Sequence, residues 1–280
     1  MKVETGPSVL ITGCGKGGIG HALAVEFRNK GYFVFATVLA HEPKEHLTDV
    51  GIHVFTADVT SDDDILKLRD NIADLTDDTL DVLVNNAGIV YTMTTIDTDV
   101  KEVEKMFAVN VFGPMRMVNI FHPLLIKAKG KIVNIGSVAG IIPYVYGASY
   151  NATKAALHHW GNTLRVEMKP FGVDVINIIS GEVGTNILKR DQGATRRLPE
   201  DSYYTPLAKE FESHINRKPN TITPAQYATS VVAEITKENP KAWFWTGARV
   251  GEFWFGDTFL PRTYWDWLFK REFKLQKLVS

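Results

Sequence analysis

Cysteine is almost absent from this chain. Cys14 is the only one among 280 residues, so no intramolecular disulfide can form and no cluster of thiolates can hold a structural zinc. His158 and His159 are adjacent in a predicted helix, where neighbouring side chains point apart, and no third metal ligand is evident. We therefore expect no bound metal and, because thiols stay reduced in the cytosol, a cytoplasmic protein.

The chain also lacks a charge excess and a long apolar run. Its 31 Lys and Arg nearly cancel its 32 Asp and Glu, so we expect no nucleic-acid partner. Hydrophobic residues make up 45% and charged residues 22%, as in globular proteins with a sizeable core. Because no apolar run reaches spanning length, we expect a protein that is soluble or peripheral on an intracellular membrane or lipid surface.

Short apolar runs rich in β-branched residues alternate with helical stretches. The runs are typical of buried parallel strands and lie at residues 9–11, 33–35, 53–55, 82–84, 131–135 and 173–179. The helical stretches lie at residues 19–30, 62–75, 98–128 and 149–169. With a helix near 224–237 and a strand near 242–246, the pattern predicts an α/β fold, a Rossmann-type doubly wound, mainly parallel seven-stranded sheet with helices on both faces.

No composition shift marks a second domain, so residues 1–280 are predicted to form a single domain. Residues of about 182–223 are polar and contain proline, and such a long irregular connection is typical of a substrate-binding lid. Residues of about 251–280 form an extension rich in Trp and Phe with a basic end. That mixture is found at membrane surfaces, although core or dimer packing is the favoured interpretation.

A glycine-rich string, Thr12 to Gly20, follows the first predicted strand and opens the first helix. Glycines there allow a sharp turn and close approach of the backbone to a pyrophosphate, which the helix N-terminus also attracts. The string predicts a dinucleotide-binding loop, although backbone geometry alone would also explain it. A P-loop, a Gly-x-Ser-x-Gly elbow and a His-Glu-x-x-His helix are lacking, which disfavours an NTPase, a serine hydrolase and a zinc protease.

Tyr150 and Lys154 are four residues apart in a predicted helix and so lie on the same face. An unperturbed tyrosine has a pKa near ~10, too high for efficient acid–base catalysis at neutral pH, and a nearby ammonium group favours the phenolate. We therefore expect Lys154 to lower the pKa of Tyr150. Taken alone, such a pair more often belongs to a solvated helix face, but its neighbours in the chain favour catalysis.

Three polar positions accompany the pair. Ser137 lies just beyond the predicted strand 131–135, where its hydroxyl could bond a substrate oxygen or serve an ordinary turn. Asn86 ends the fourth strand in an Asn-Asn-Ala-Gly string, where a cofactor should cross the sheet edge. Asn110 shortly precedes Pro114 in a helix, and because proline removes a helical hydrogen bond we expect a kink that holds water.

In order and spacing, these motifs resemble the classical short-chain dehydrogenase/reductase family over roughly residues 8–250. The resemblance implies that Tyr150 is the acid–base group and Lys154 its pKa partner and ribose ligand. It further implies that Ser137 orients the carbonyl and that Asn110 holds a proton-relay water. The cofactor contacts that it implies are Gly13, Lys16, Gly18, Ile19, Gly20, Asp58, Asn86, Ala87, Gly88, Tyr150, Lys154, Gly181, Val183 and Thr185.

The sequence departs from the family pattern at two places. Four residues separate Gly13 from Gly18 where the family usually has three, which predicts a reshaped loop. Ser180 stands where the family usually has proline, although Thr185 still follows at the distance expected for a contact with the nicotinamide amide. Asp58 resembles the family's adenine-contacting aspartate, and a turn or helix-entry aspartate is an equally good interpretation.

The preference for NAD(H) or NADP(H) normally depends on the end of the second strand, where an acid binds a ribose hydroxyl of NAD(H) or an arginine binds the 2′-phosphate of NADP(H). Residues 36–40, Ala-Thr-Val-Leu-Ala, offer neither, while Lys16, His41 and Lys44 could reach a phosphate. We therefore favour NADP(H) as the cofactor, with NAD(H) as the alternative.

The glycine insertion and the aromatic C-terminus resemble a fungal branch of NADPH-dependent 1-acyldihydroxyacetone phosphate reductase-like enzymes. That branch usually has arginines after the second strand, and Val38 and Leu39 replace them here, which favours a role in specialised metabolism. The apolar string 138–146 leads from Ser137 towards Tyr150. It indicates a lipid, terpenoid, steroid or polyketide-like substrate, unless it only packs the loop.

The sequence thus predicts an NADP(H)-dependent oxidoreductase that interconverts a ketone and a secondary alcohol on a small apolar substrate. Family analogy implies a homo-oligomer, through the helices at 98–128 and 149–169. Two other hypotheses stay open, a non-redox isomerase or lyase that uses Tyr150 for proton transfer and a nucleotide-sensing binding protein. Activity without nicotinamide would favour the isomerase or lyase, whereas the intact Asn, Ser, Tyr and Lys set has no obvious purpose in a sensor.

Overall fold

A computed structural model of the protein describes residues 6–185, 187, 196–217 and 221–278. Its strands are β1 (Ser8–Ile11), β2 (Phe33–Val38), β3 (His53–Thr56), β4 (Val82–Asn85), β5 (Lys131–Ile135), β6 (Asp174–Ser180) and β7 (Trp243–Thr246). Its helices include α1 (Ile19–Asn29), α2 (Glu45–Thr48), α3 (Asp62–Thr76), α4 (Val100–Phe107), α5 (Gly113–Ala128), α6 (Ala148–Met168), α7 (Ala208–Ile215), α8 (Pro224–Ile235), α9 (Val250–Phe259) and α10 (Tyr264–Glu272).

The strands pair in parallel in one sheet with the order β3-β2-β1-β4-β5-β6-β7. The chain places β2 and then β3 on one side of β1. It then crosses to the other side of β1, where β4 to β7 follow in order. At this reversal Val9 is level with Val82, and Ile11 with Val84. The predicted doubly wound, seven-stranded fold is confirmed, and such folds bind ligands in the crevice at the carboxyl ends of the strands that flank the reversal.

Helices cover both faces of the sheet, because strands that are apolar on both sides must be buried on both sides. On one face α1 and α8 bury Phe27 and Tyr227, and on the other α3, α5 and α6 enclose Phe121. A third group of apolar side chains follows the ends of β4, β5 and β6. We call it the aromatic cluster, and its rings include Tyr146, Phe211, Phe253, Trp265, Phe269 and Phe273.

The helix predicted over residues 98–128 is interrupted. A π-helical turn, Ala108–Phe112, separates α4 from α5, and the N–H of Gly113 bonds back to the carbonyl of Ala108. Pro114, which lacks an N–H, sits at the start of α5. The predicted kink therefore takes the form of a π-helical turn, a feature often found at functional sites.

The predicted lid, residues 182–223, is not irregular throughout. Helix α7 lies within it, and Leu207, Phe211 and Ile215 are buried at intervals of four residues. The expectation of an irregular polar segment is wrong here, because Phe211 and Ile215 lie on one face of α7 and Leu207 is buried directly before the helix. Residues 186, 188–195 and 218–220 of this region lie outside the described part of the chain.

Candidate active site

The glycine loop is held tightly against the end of β4. Gly13 has a φ of +71°, and a Cβ at this position would lie 2.7 Å from the Cα of Ala87. In α1, a Cβ on Gly20 would lie 2.5 Å from the side-chain nitrogen of Asn86 and 2.6 Å from the carbonyl oxygen of Gly13. Both positions therefore require glycine.

A turn directly before α1 accommodates the additional residue between Gly13 and Gly18. The N–H of Gly18 bonds the carbonyl of Gly15 at 3.0 Å, and Gly17 has a φ of +75°. Helix α1 then begins at Ile19, and its N-cap residue Gly18 supplies no side-chain hydrogen bond. Because no side chain caps the first turn of α1, its amides and the glycine cradle fit a pyrophosphate.

Asn86 fixes this loop through its side chain. Its amide nitrogen donates to the carbonyls of Thr12 and Gly13 at 2.8 and 3.0 Å. The hydroxyl of Thr12 in turn accepts the N–H groups of Asn86 and Ala87 at 3.1 and 3.0 Å. Asn86 and Ala87 thus shape the loop, and their direct contact with a cofactor stays a prediction.

Tyr150 and Lys154 begin α6 and lie close together. The Nζ of Lys154 is 5.7 Å from the centre of the Tyr150 ring and donates to the carbonyl of Ile135, at the end of β5, at 2.9 Å. A Cβ on Gly88 would lie 3.8 Å from this Nζ and 3.3 Å from Oδ1 of Asn110. The cation of the site is therefore buried and anchored to β5 beside the phenol.

Burial shifts the pKa of both groups. It raises the pKa of Tyr150 to about 12, and the neighbouring hydroxyl of Ser137 opposes this rise. Burial lowers the pKa of Lys154 to about 8. The expectation of a lowered pKa at Tyr150 is wrong for the protein without bound ligands. Removing the phenolate from water is the largest effect on this pKa, and it raises the value. At neutral pH the phenol therefore carries a proton that it can donate.

Ser137 is held next to Tyr150 by a histidine that the sequence analysis considered only as a metal ligand. The Nε2 of His158 accepts the N–H of Ser137 at 3.2 Å, and a Cβ on Gly136 would lie 2.1 Å from the same nitrogen. Burial lowers the pKa of His158 to about 3, so its ring is neutral and can accept this bond. His158 lies two helical turns beyond Tyr150, and this spacing could have indicated its place on the catalytic face of α6.

Asn110 is fully buried in the π-helical turn and satisfied by its neighbours. Its Oδ1 accepts the N–H of Ile89 at 2.9 Å, and its Nδ2 donates to the carbonyl of Ile89 at 2.9 Å and to Oγ1 of Thr153 at 3.1 Å. The hydroxyl of Thr153 bonds the carbonyl of Tyr150 at 2.8 Å. Thr153, which the sequence analysis missed, therefore joins Asn110 to the catalytic helix. Pro114 has no N–H to donate, so the backbone carbonyl of Asn110 lacks its usual helical donor.

The segment after β6 carries three of the predicted cofactor residues, Gly181, Val183 and Thr185. A Cβ on Gly181 would lie 2.2 Å from the carbonyl oxygen of Ala248, so the chain passes close to the residues that follow β7. Ser180 is accommodated where the family has proline because its hydroxyl bonds that of Tyr227 at 2.6 Å in the core. The contact of Thr185 with nicotinamide stays a prediction.

A carboxylate that the sequence analysis missed lies beside the end of β2. Glu42 accepts the N–H of Leu39 at 3.0 Å, and its charge adds to burial in raising the pKa of the Cys14 thiol. Lys16 and His41 are exposed at the same edge of the sheet. Glu42 stands four residues beyond β2, and only the turn at residues 39–42 brings its carboxylate back to this edge.

Asp58 follows β3 and closes the turn into α3. Its Oδ1 accepts both the N–H and the hydroxyl of Thr60 at 2.8 Å, and its own N–H bonds Asp64 at 3.0 Å. These contacts match the helix-entry interpretation, and the adenine contact stays a prediction. In the described ranges, no group of three or more His, Cys, Asp or Glu could hold a metal ion, and no helix is long and apolar enough to span a bilayer.

A parallel sheet with a glycine cradle at its reversal and a Tyr/Lys pair beside it, whose lysine is buried, defines a dinucleotide-dependent oxidoreductase. The family model for short chain dehydrogenase matches residues 7–195, and the chain belongs to this family. Short-chain dehydrogenase anuB of Penicillium roqueforti is 67% identical over 92% of this chain and 89% of its own. NADPH-dependent 1-acyldihydroxyacetone phosphate reductase of Schizosaccharomyces pombe is 36% identical over 91% and 87%.

Solved structures agree with this assignment. A short-chain dehydrogenase from Streptomyces avermitilis has the same fold, with a TM-score of 0.78 and 24% identity over 99% of this chain and 100% of that one. The closed form of a serine dehydrogenase complexed with NADP+ has a TM-score of 0.73 and 25% identity over 86% and 94%. The predicted family and its fungal branch are confirmed, and the protein is a short-chain dehydrogenase/reductase enzyme.

Proposed function

We propose that the protein is an NADP(H)-dependent oxidoreductase that interconverts a ketone and a secondary alcohol on an apolar substrate. The observation that carries this proposal is the convergence of Ser137, Tyr150 and Lys154 at the carboxyl end of β5, beside the glycine cradle. A bound nicotinamide would supply or accept the hydride, and residues of the chain donate or accept the proton.

In the reducing direction, Tyr150 donates its phenolic proton to the carbonyl oxygen of the substrate, and the hydroxyl of Ser137 donates a hydrogen bond to the same oxygen. The phenolate that remains is stabilised by the ammonium group of Lys154, whose Nζ is 5.7 Å from the ring centre. The backbone carbonyl of Asn110, to which Pro114 has no N–H to donate, holds the water from which Tyr150 regains a proton. Oxidation of the alcohol runs through the same steps in reverse.

The choice of NADP(H) rests on the charges at the end of β2. Lys16, His41 and Lys44 support binding of a 2′-phosphate, as does the likeness to a dehydrogenase solved with NADP+. The carboxylate of Glu42 opposes it, because it occupies the N–H of Leu39 and repels an anion. NAD(H) is the alternative cofactor that Glu42 favours.

The surroundings of Tyr150 support an apolar substrate, because its ring packs against the aromatic cluster. Tyr146 contacts Phe211 and Phe273 there at ring-centre distances of 5.0 and 5.4 Å. The hydroxyl of Tyr146 is buried without a hydrogen-bond partner, and its backbone has a φ of +64°. Such unsatisfied, strained positions are often functional, so we assign this phenol a polar contact with an otherwise apolar substrate.

We further propose a role in specialised metabolism. The chain is 67% identical to a fungal protein named only as a short-chain dehydrogenase and 36% identical to a named acyldihydroxyacetone phosphate reductase. Val38 and Leu39 stand where that branch usually has arginines, which also separates this chain from that reductase. Exposed apolar groups on the outer helices, such as Phe112 and Val166, support assembly of a homo-oligomer.

The test uses the purified protein with a matched variant, Tyr150→Phe. Titration with NADPH and NADH measures cofactor affinity, and loss of NADPH absorbance is then followed across a panel of apolar ketones. We expect both proteins to bind NADPH and only the wild type to oxidise it. Failure to bind either dinucleotide would refute the redox assignment, and turnover of a substrate without nicotinamide would favour an isomerase or lyase.

A further inference from the structure

Two histidines from different helices bond the backbone of the glycine loop. His46, in α2, donates from Nε2 to the carbonyl of Cys14 at 2.9 Å. His21, in α1, accepts the N–H of Gly17 on its Nδ1 at 3.2 Å. Both contacts lie within the segment that contains the additional residue of the loop. The two histidines therefore hold the part of the loop that departs from the family pattern.

The backbone of Cys14 is fixed from two directions. Its N–H donates to the carbonyl of Thr37, in β2, at 2.8 Å, and its carbonyl accepts the bond from His46, in the helix that follows β2. The side chain of Cys14 is fully buried. From there the loop comes to the surface, and Gly17 is exposed. The bond from Gly17 to His21 therefore holds the loop at a point where burial no longer does.

The two histidine rings contact each other. Their centres lie 4.7 Å apart at an interplanar angle of 84°, which is an edge-to-face arrangement. Burial, followed by repulsion from His46 and Lys16, lowers the pKa of His21, and a backbone hydrogen bond with His46 opposes this shift. At neutral pH the ring of His21 is therefore uncharged, as the acceptance of an N–H on Nδ1 requires. Because the rings touch, a displacement of one histidine disturbs the bond that the other makes.

Folding stability alone does not explain the histidine at position 46. The Nδ1 of His46 is buried, and among the described residues it has no hydrogen-bond partner. An unpaired buried ring nitrogen costs free energy, so a leucine at this position would pack without that cost. The imidazole instead supplies a donor that reaches the carbonyl of Cys14, 32 residues earlier in the chain. This combination favours a role in shaping the loop over a role in packing.

We propose that His21 and His46 are positioning residues for the dinucleotide. They hold residues 14–17 in the shape in which the first-turn amides of α1 and the glycine cradle face the pyrophosphate. Each histidine acts through the backbone of the loop, so neither has to touch the cofactor. The inference rests on the dinucleotide binding in the proposed function, but neither on the ketone substrate nor on the choice between NADP(H) and NAD(H).

The test measures the affinities of the full-length protein for NADPH, NADH and ADP by calorimetric titration without a ketone. His46→Leu removes the donor to Cys14 and should weaken the binding of each nucleotide by about fivefold, because one hydrogen bond that fixes the loop is lost. His46→Gln keeps an N–H donor and should restore the affinities to within about twofold of the wild type. The matched control is His122→Leu, because the Nδ1 of His122 bonds the carbonyl of Asn119 at 2.7 Å within α5.

A second set of variants tests whether the two histidines act together. His21→Leu should weaken nucleotide binding by about threefold, and His21→Gln, which keeps an acceptor for the N–H of Gly17, should restore it. The double variant His21→Leu/His46→Leu should lose less affinity than the product of the two single losses, because the rings share a contact. A loss equal to that product would overturn the action of the histidines as a pair.

The outcomes separate this proposal from its alternatives. Equal affinities in the wild type and His46→Leu, or no recovery in His46→Gln, would overturn it. A lower Tm in His46→Leu with unchanged affinities would assign His46 to stability alone. No binding of any nucleotide by the wild type would refute the proposed function together with this inference. Normal nucleotide binding without turnover of any ketone would refute the proposed function alone.

Discussion

The cofactor side and the substrate side of the candidate active site are built from different groups. On the cofactor side, a Cβ on Gly13 or Gly20 would lie within 3 Å of neighbouring backbone or of Asn86, and the functional groups are amides of the main chain. On the substrate side, rings such as Tyr146 and Phe273 come from segments far apart in the sequence. The first depends on the absence of side chains and the second on their bulk, so single substitutions should affect the two sides differently.

The sharpest test of this comparison is Tyr150→Phe, because Tyr150 stands between the two sides. Removing the proton donor should lower kcat by roughly 10²–10⁴-fold. The Kd for NADPH should stay within about twofold, since the glycine cradle is untouched. Stopped-flow turnover and cofactor fluorescence titration measure the two quantities, and a parallel loss of cofactor affinity would contradict the separation of the two sides.

Gly20→Ala should damage the cofactor side. The new methyl group would meet Asn86 and Gly13 at 2.5 and 2.6 Å, and such overpacking typically costs about 1–3 kcal/mol. We expect a lower free energy of unfolding and NADPH affinity reduced by about tenfold or more. Gly251→Ala is the matched control, because no atom lies within 4 Å of a Cβ there. Equal effects of the two substitutions would show that the cradle is not close-packed.

The pH dependence of ketone reduction should reflect Lys154. Its pKa of about 8 means that the ammonium is present below this pH and is lost above it, while Tyr150, with a pKa of about 12, keeps its proton throughout. We therefore expect kcat/KM to be level near neutral pH and to fall about tenfold per unit well above pH 8. Lys154→Arg, which stays charged, should abolish this fall, and an unchanged profile in that variant would assign the titration elsewhere.

His158→Phe should impair turnover through Ser137. It removes the acceptor of the Ser137 N–H, and leaving a buried donor unpaired costs about 1–3 kcal/mol. We expect kcat to fall by about tenfold with an unchanged Kd for NADPH, because His158 positions the substrate side only. His159→Phe, at the exposed neighbouring position, is the control. A change in NADPH affinity without a change in kcat would contradict this role.

The smallest expected effect concerns Glu42. Glu42→Gln removes a negative charge at the N–H of Leu39, so the affinity for 2′,5′-ADP should rise by about two- to fivefold, while that for ADP should not. Glu45→Gln, which alters a nearby exposed carboxylate bonded to the N–H of Lys44, is the control. Calorimetric titration measures the affinities for the two nucleotides. An equal gain in affinity for ADP would show that the charge of Glu42 does not act on the 2′-phosphate.

Much of the cofactor side was predictable because its determinants are local. The glycine spacing after β1 and the four-residue spacing of Tyr150 and Lys154 each lie within one short segment, where helix and strand geometry fixes which groups meet. The sign of the pKa shift of Tyr150 was not predictable. It depends on how much water the surrounding chain removes from the phenol, and that amount is a sum over residues distant in sequence.

The sequence by itself determined the doubly wound sheet, the family and the residues that converge at the end of β5, since hydrophobic periodicity and short-range motifs encode them. Only the tertiary structure decided that His158 holds Ser137, that Thr153 links Asn110 to α6 and that Glu42 returns to the end of β2. It also decided which side of α9 is covered and which is exposed. These outcomes depend on contacts between distant segments, which no local pattern specifies.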